Sequence, residues 1–332
     1  MIDSVVFIAD RVDSHAKANI YSTNLEKLSD EYFHEVSEAL ESICNKVTYY
    51  SSPKEFIDMI HLHQNDVVLS LWSGENSHNR RALVPSICEA YGIAYVGADS
   101  YLQLISQDKH LSKSVIERYE LKFPKGVLIQ SKYDIILLNN LKFPAVVKPN
   151  FEGGSIGIFS DNLVYSFNEA KLVCEKLLPK FNPLVVEEFI PGEEISVCIA
   201  GICPEKLICQ AIRLHIGDKA YMDNEIFSAE YKKIDDSLRR REAITSSFPK
   251  QELERVKRLF FSFKKAEVMR IDGRMNTNGF YVFELTPDCS LSHNSSIWPA
   301  FKEEKYNYYQ MLAFLLQNAI INHQMGIQNA TL

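Results

Sequence analysis

The chain has 332 residues, 46% hydrophobic and 24% charged, with a formal net charge of −7. This composition predicts a globular protein with room for two or three packed modules. The negative balance gives nucleic-acid binding no electrostatic support, and no apolar run reaches the roughly 18–20 residues that span a bilayer.

In chain order, residues 3–9 (DSVVFIA), 46–50, 66–71 and 93–97 are short and β-rich, and helix-like stretches at 24–43, 53–63 and 80–91 lie between them. The alternation predicts a small parallel α/β module, with Pro53 at a helix start and Gly92 at a helix end. The opening "MIDSVVFIADRVDS" lacks a basic flank and a cleavage site, so it reads as a first strand and not as a signal peptide. The first strand–helix connection, "ADRVDSHAKA", has no glycine and therefore no dinucleotide fingerprint. A helix is expected over 101–119, then strands at 125–130 and 144–148, a glycine loop, a helix at 167–178, and strands at 184–189, 194–200 and 206–214. Residues 215–249 read as irregular and highly charged, in the manner of a functional lid. An amphipathic helix follows at 250–265, then strands at 267–272 and 280–286 joined through Asn278-Gly279, and a last helix at 306–320. The seven cysteines form no CxxC pair and read as buried free thiols of a reducing cytoplasm.

Three stretches could carry chemistry. In "FPAVVKPNFEGGSIGIF" (143–159) a strand delivers Lys148, and the loop after it holds Gly153, Gly154, Ser155 and Gly157. Glycines let backbone N–H groups converge on a polyphosphate; the loop could equally be a tight connection with Lys148 solvated. In "EVMRID…FYVFELT" strand alternation puts Arg270 and Asp272 on one face, and Val282, Glu284 and Thr286 on one face of the partner. Met269, Ile271, Tyr281, Phe283 and Leu285 would form the apolar faces. Two adjacent carboxylates suit Mg²⁺; Arg270 neutralising both acids is the alternative. In "PLVVEEFIPGEEISV" Glu187 and Glu188 end one strand and Glu194 opens the next, which could serve adenine and ribose or be a polar turn.

Together, "FPAVVKPNFEGGSIGI", "LVVEEFIPGEEISV", "VMRIDG" and "FYVFELTPDCSLS" occur in the order and spacing of an ATP-grasp ligase, and the chain most resembles the D-alanine–D-alanine ligase branch, most strongly over 105–290. The resemblance implies an α/β fold: an N-terminal parallel module over 1–100, then an ATP-grasp domain of two α+β lobes, a central one at 101–183 with the phosphate loop and a C-terminal one at 184–325 with the metal site. By position, Lys109 and Lys148 resemble the lysines that contact ATP phosphates. Gly153, Gly154, Ser155 and Gly157 resemble the phosphate loop, and Glu187, Glu188, Phe189 and Ile190 the adenine-binding strand end. Glu194 resembles the ribose acid. Asp272, Glu284 and Thr286 fall at the metal positions, for Mg²⁺ or Mn²⁺. Arg270, with Ser155 and Gly154, falls where the transferring phosphate and the tetrahedral intermediate are stabilised.

The departures lie in the amino-acid half. Thr286 replaces the family's Asn, and Gly154 replaces the first loop serine. The "GG-S-x-E" stretch that recognises the first D-alanine's amine is absent from 9–20, and Trp72-Ser73-Gly74 replaces a His-Gly pair. The lid's lysine–tyrosine pair is absent near Ile226 and Phe227, with Lys219, Lys232 or Lys233 as substitutes. The implied activity is ATP-dependent carboxylate–amine ligation through an acyl phosphate, with an amino acid other than D-alanine as substrate. A D-alanine–D-alanine ligase of cell-wall synthesis and a catalytically degenerate nucleotide binder are the alternatives. The expected partners are small-molecule carboxylates and amines, with no nucleic acid or membrane, in a cytoplasmic homodimer.

Overall fold

A computed structural model describes residues 2–12, 23–75, 77–228 and 238–330. The first sheet is parallel. Its strands, β1 (Ile2–Ile8), β2 (Cys44–Tyr50), β3 (Val67–Ser70) and β4 (Ala94–Tyr95), lie in the order β2-β1-β3-β4. Helices α1 (Asp30–Ile43), α2 (Pro53–Asp58) and α3 (Leu83–Tyr91) make the crossovers. Ser29 and Ser52 cap the first two through Tyr32 N and Glu55 N, and Gly92 ends the third at φ +65°, a left-handed conformation that glycine adopts without strain.

The single helix expected over 101–119 is two, α4 (Ser100–Gln107) and α5 (Lys109–Arg118). Asp108 breaks it. Its backbone is extended, and its Oδ1 accepts from Leu111 N at 2.8 Å and from Asn150 Nδ2 at 2.9 Å, so the carboxylate caps the second helix and Lys109 becomes that helix's first residue.

A second, antiparallel sheet has the order β5-β8-β6-β7, from β5 (Gly126–Ile129), β6 (Ala145–Pro149), β7 (Leu163–Val164) and β8 (Leu184–Glu188). Helix α6 (Phe167–Leu177) packs on it, with Cys174 and Leu177 buried against Val147 and Val186. The third sheet runs β12-β10-β9-β13-β14, with β11 added to β9. Its strands are β9 (Gly192–Ala200), β10 (Ile208–Ile216), β11 (Tyr221–Met222), β12 (Arg239–Ala243), β13 (Val268–Asn276) and β14 (Gly279–Thr286). Helix α7 (Lys250–Phe261) buries Leu253, Val256 and Phe260 against its apolar face. Helices α8 (Ile297–Glu303) and α9 (Tyr308–Ala330) share one core with the first and third sheets, in which Leu312 and Leu315 meet Val5, Leu40, Cys198 and Ile208.

Three expectations needed correction. Residues 215–249 are not wholly irregular, because β11 and β12 lie there; β12 reads RRREA, so its charges hid the apolar alternation of a strand. Helix α8 was missed, and the last helix runs to Ala330. In the β13–β14 ladder Asp272 opposes Glu284 but Gly273 opposes Val282. This bulge at Phe283 reverses the side-chain parity beyond it. Phe280 and Val282 therefore enter the core, while Phe283 lines a cleft beside Glu284. Gly273 permits the bulge, since a Cβ there would collide with the carbonyl oxygen of Tyr281.

Candidate active site

The second and third sheets face each other across a cleft of about 360 Å³. Strand β6 delivers Lys148 to one wall, where its Nζ lies 2.6 Å from Glu187 Oε2. Lys113, from α5, reaches the same carboxylate at 3.3 Å and donates to the Phe283 carbonyl at 2.7 Å. Glu187 is 3% exposed. Burial works to raise its pKa, but the charges of Lys113 and Lys148 outweigh that and hold it below the usual carboxylate range. Burial pushes Lys113 down to about 8 against the pull of Glu187. Glu187 thus lines the cleft as the counter-ion of both lysines. Lys113 was missed, because a lysine inside a helix gives no sequence signal.

Lys109, at the start of α5, pairs with Glu284 Oε1 at 3.0 Å and donates to the Glu152 carbonyl. That carbonyl immediately precedes the glycine loop. Gly154 and Gly157 have φ of +60° and +73°, and Ser155, a non-glycine, has +60°. The serine hydroxyl donates to the Phe227 carbonyl at 3.3 Å, linking the loop to the segment that follows β11.

At the other end of the cleft are Glu188, Phe189, Ile190 and Glu194. Arg274, unforeseen in the sequence, is 2% exposed and pins this corner. It pairs with Glu194 at 2.6 Å, donates to the Ile190 carbonyl at 2.9 Å, and lies over the Phe189 ring at 5.0 Å.

On the floor, Arg270 Nε contacts both oxygens of Asp272 at 2.8 and 2.9 Å. Ser196 donates to Asp272 Oδ1 at 2.7 Å and Thr286 to Oδ2 at 3.1 Å. Burial would raise Glu284, but Lys109 first, then Lys148 and Arg270, keep it below the usual range. Asp272 and Glu284 are carboxylate oxygen donors on directly opposed residues, both lining the cleft, a donor set that fits Mg²⁺. Among the described residues no group of three or more His, Cys, Asp and Glu side chains assembles, so a second ion would lean on Thr286.

Beside the glycine loop lies a second recess, lined by Glu26, Ser73, Arg81, Gly153, Gly154, Thr286 and Asp288. Glu26 Oε2 accepts from Arg80 at 2.9 Å and pairs with Arg81 at 3.2 Å, and Arg81 reaches Asp288 at 3.0 Å. Burial acts to raise Glu26, but Arg81 and then Arg80 hold it below the usual range. No carboxylate beside the glycine loop was expected from residues 9–20, of which 13–20 lie outside the described residues; Glu26 brings one there from further along the chain, and its Oε1 lies against Gly153. Of the lysines proposed for the lid, Lys219 pairs with Glu225 at 2.7 Å, and Lys232 and Lys233 lie outside the described residues.

A sequence model of the family described as D-ala D-ala ligase C-terminus matches residues 123–317. A D-alanine–D-alanine ligase of Pelagibacter ubique is 26% identical over 77% of this chain and 82% of its own length. One of a Thermotoga species is 23% identical over 88% and 92%. Among solved structures, the fold matches a D-alanine–D-alanine ligase from Bacillus anthracis complexed with ATP, with a TM-score of 0.71 at 20% identity over 98% of this chain and 99% of that one. A D-Ala:D-Ser ligase from Enterococcus faecalis matches with a TM-score of 0.68 at 16% identity over 97% and 100%.

Proposed function

The chain belongs to the D-Ala–D-Ala ligase family of ATP-dependent ATP-grasp ligases, and on that premise we propose that it joins two amino acids through an acyl phosphate, with D-alanine as the reference substrate. The observation that carries this reading is the convergence of Lys109 and Lys148, each held by its own carboxylate, on one cleft with the glycine loop. The names of the curated relatives favour D-alanine over the other amino acid that the rewritten motifs suggested.

In the proposed reaction a carboxylate oxygen of the first amino acid attacks the γ-phosphorus and ADP leaves. The amine of the second then attacks the acyl carbon, loses a proton, and expels phosphate. Lys109, Lys148 and the loop N–H groups neutralise and orient the phosphates. Asp272 and Glu284 would hold Mg²⁺, which screens the phosphate oxygens when bound. Arg270 lies where it can stabilise the oxyanion, and the loop's contact with Phe227 supports closure that keeps water off the acyl phosphate. The buried thiols accord with a cytoplasmic location.

A second reading, a different first amino acid, is favoured by one feature: Glu26 is already engaged by two arginines, which weakens it as a partner for a substrate ammonium. ADP release measured with D-alanine and with a panel of other D- and L-amino acids tests both. Saturable release with D-alanine supports the main reading, and release only with another amino acid supports the second.

A further inference from the structure

Arg274 stands on β13 opposite Glu194 of β9, and its guanidinium reaches several stretches of chain at once. Nε donates to Glu194 Oε1 at 2.8 Å, and Nη2 pairs with the same oxygen at 2.6 Å. Nη1 donates to the Ile190 carbonyl and Nη2 to the Glu225 carbonyl, each at 2.9 Å. The group also lies over the Phe189 and Phe283 rings, at 5.0 and 5.8 Å from their centroids. Buried as it is, Arg274 cannot exchange these acceptors for water, and a planar fork of N–H donors is the side chain that meets them together. The start of β9 is shaped to it. Gly192 passes so close that a Cβ there would fall 3.1 Å from Arg274 Cβ and 2.6 Å from the Met275 carbonyl oxygen. Asn276 holds the Pro191 carbonyl at 2.8 Å beside it.

The bond to Glu225 gives the arrangement its consequence. Strand β11 is two residues long, and its ladder with β9 ends at Met222 opposite Gly192. Beyond it the guanidinium takes the Glu225 carbonyl, and Ile226 and Phe227 then line the cleft. The Phe227 carbonyl in turn accepts from Ser155 of the glycine loop. A path of contacts therefore runs from the corner of Phe189, Ile190 and Glu194, through Arg274 and residues 225–227, to the loop. Moving either end alone would strip a buried guanidinium of an acceptor, which is unfavourable. We propose that Arg274 is a positioning residue that ties the Phe189–Glu194 corner to residues 225–227, so that a nucleotide filling the corner seats that stretch on the glycine loop. Its consequence for turnover rests on the ligase reading above. An untied stretch admits water to the acyl phosphate. Water then adds to the acyl carbon, the bond to the phosphate oxygen breaks, and amino acid, phosphate and a proton leave without a peptide.

The test compares wild type, Arg274→Met and Arg274→Lys, measuring ADP and dipeptide formed together. Wild type yields one dipeptide per ADP. In Arg274→Met the KM for ATP rises about tenfold, the effect of a lost charge-assisted hydrogen bond, and ADP exceeds dipeptide. Arg274→Lys restores a charge beside Glu194 and recovers part of the KM. Its single ammonium cannot span Glu194, Ile190 and Glu225, so the excess of ADP persists. A raised KM with the two products still equal, or no change in either, overturns the proposal. Hydrogen exchange needs no turnover and, in wild type, no variant. A non-hydrolysable ATP analogue with Mg²⁺ slows exchange over residues 189–194 and 222–228 together in wild type. In Arg274→Met it slows the first stretch alone, while β1 exchanges as in wild type and reports an intact fold. Slowing confined to 189–194 in wild type overturns the proposal even if Arg274→Met does not fold. Joint slowing without ADP release for any amino acid would overturn the ligase reading and keep the tie. Dipeptide formation without joint slowing would do the reverse.

Discussion

Asp272 and Glu284 stand directly opposite each other in the β13–β14 ladder, and each is already matched by a cation of the chain, Arg270 at 2.8 Å and Lys109 at 3.0 Å. Two carboxylates so close would repel each other without these cations. The same arrangement leaves carboxylate oxygens lining the cleft, where they could hold a divalent ion close to the phosphates.

Thr286 completes this group with a hydroxyl 3.1 Å from Asp272 Oδ2. A hydroxyl reaches less far than the amide the family carries there, so a second ion should bind weakly. ADP release should then need high free Mg²⁺ or respond to Mn²⁺, and chelation should abolish it. Thr286→Asn should lower the metal concentration giving half-maximal rate, which a titration of initial rates against free Mg²⁺ would show.

Lys148→Ala removes a point charge from the phosphate wall while leaving Glu187 its second partner, Lys113. The expected loss in affinity for a non-hydrolysable ATP analogue with Mg²⁺ is about 1.5–3 kcal/mol, the range for a charge-assisted hydrogen bond. Calorimetry would check it, and unaltered affinity would make the stretch 143–159 a structural connection.

Gly273→Ala should destabilise the fold by about 2–3 kcal/mol, because the added methyl meets the Tyr281 carbonyl at the bulge and neither backbone can yield cheaply. Gly326→Ala in α9 meets nothing within 4 Å and should be neutral or stabilising by about 0.5–1 kcal/mol. Paired denaturant melts would separate the two.

Acid should weaken the protein through Glu187 and Glu26, both held below their ordinary value of 4.5 when folded. A depressed folded pKa means that the unfolded chain binds more protons as pH falls, so stability rises with pH across this window. It is fully present above about pH 4.5 and lost progressively as the pH drops through the lower folded values. Glu187→Gln should flatten that dependence in melting temperatures taken between about pH 3 and 6.

Much of the cleft lining was legible, because glycine spacing, strand-end lysines and paired acids are local patterns. The parallel first sheet and the β13–β14 hairpin were legible for the same reason: alternation and Asn278-Gly279 are written within a few residues. Partners far apart in the chain were not. Lys113 meets Glu187 across 74 positions and Arg274 meets Glu194 across 80, and only the folded sheets bring them together. The bulge at Phe283 was hidden because simple alternation assumes an unbroken register. Strand β12 was hidden because three arginines in a row erase the hydrophobic signal.

The central claim, activation of a carboxylate as an acyl phosphate, is tested most directly by isotope transfer. D-Alanine labelled with ¹⁸O in its carboxylate is turned over with Mg-ATP, and the released phosphate is analysed by mass. The account predicts one ¹⁸O atom in each phosphate formed with peptide, because the oxygen that attacked the γ-phosphorus leaves with it. Phosphate carrying no label, with ADP still released, would show that water is the attacking group and would contradict the account.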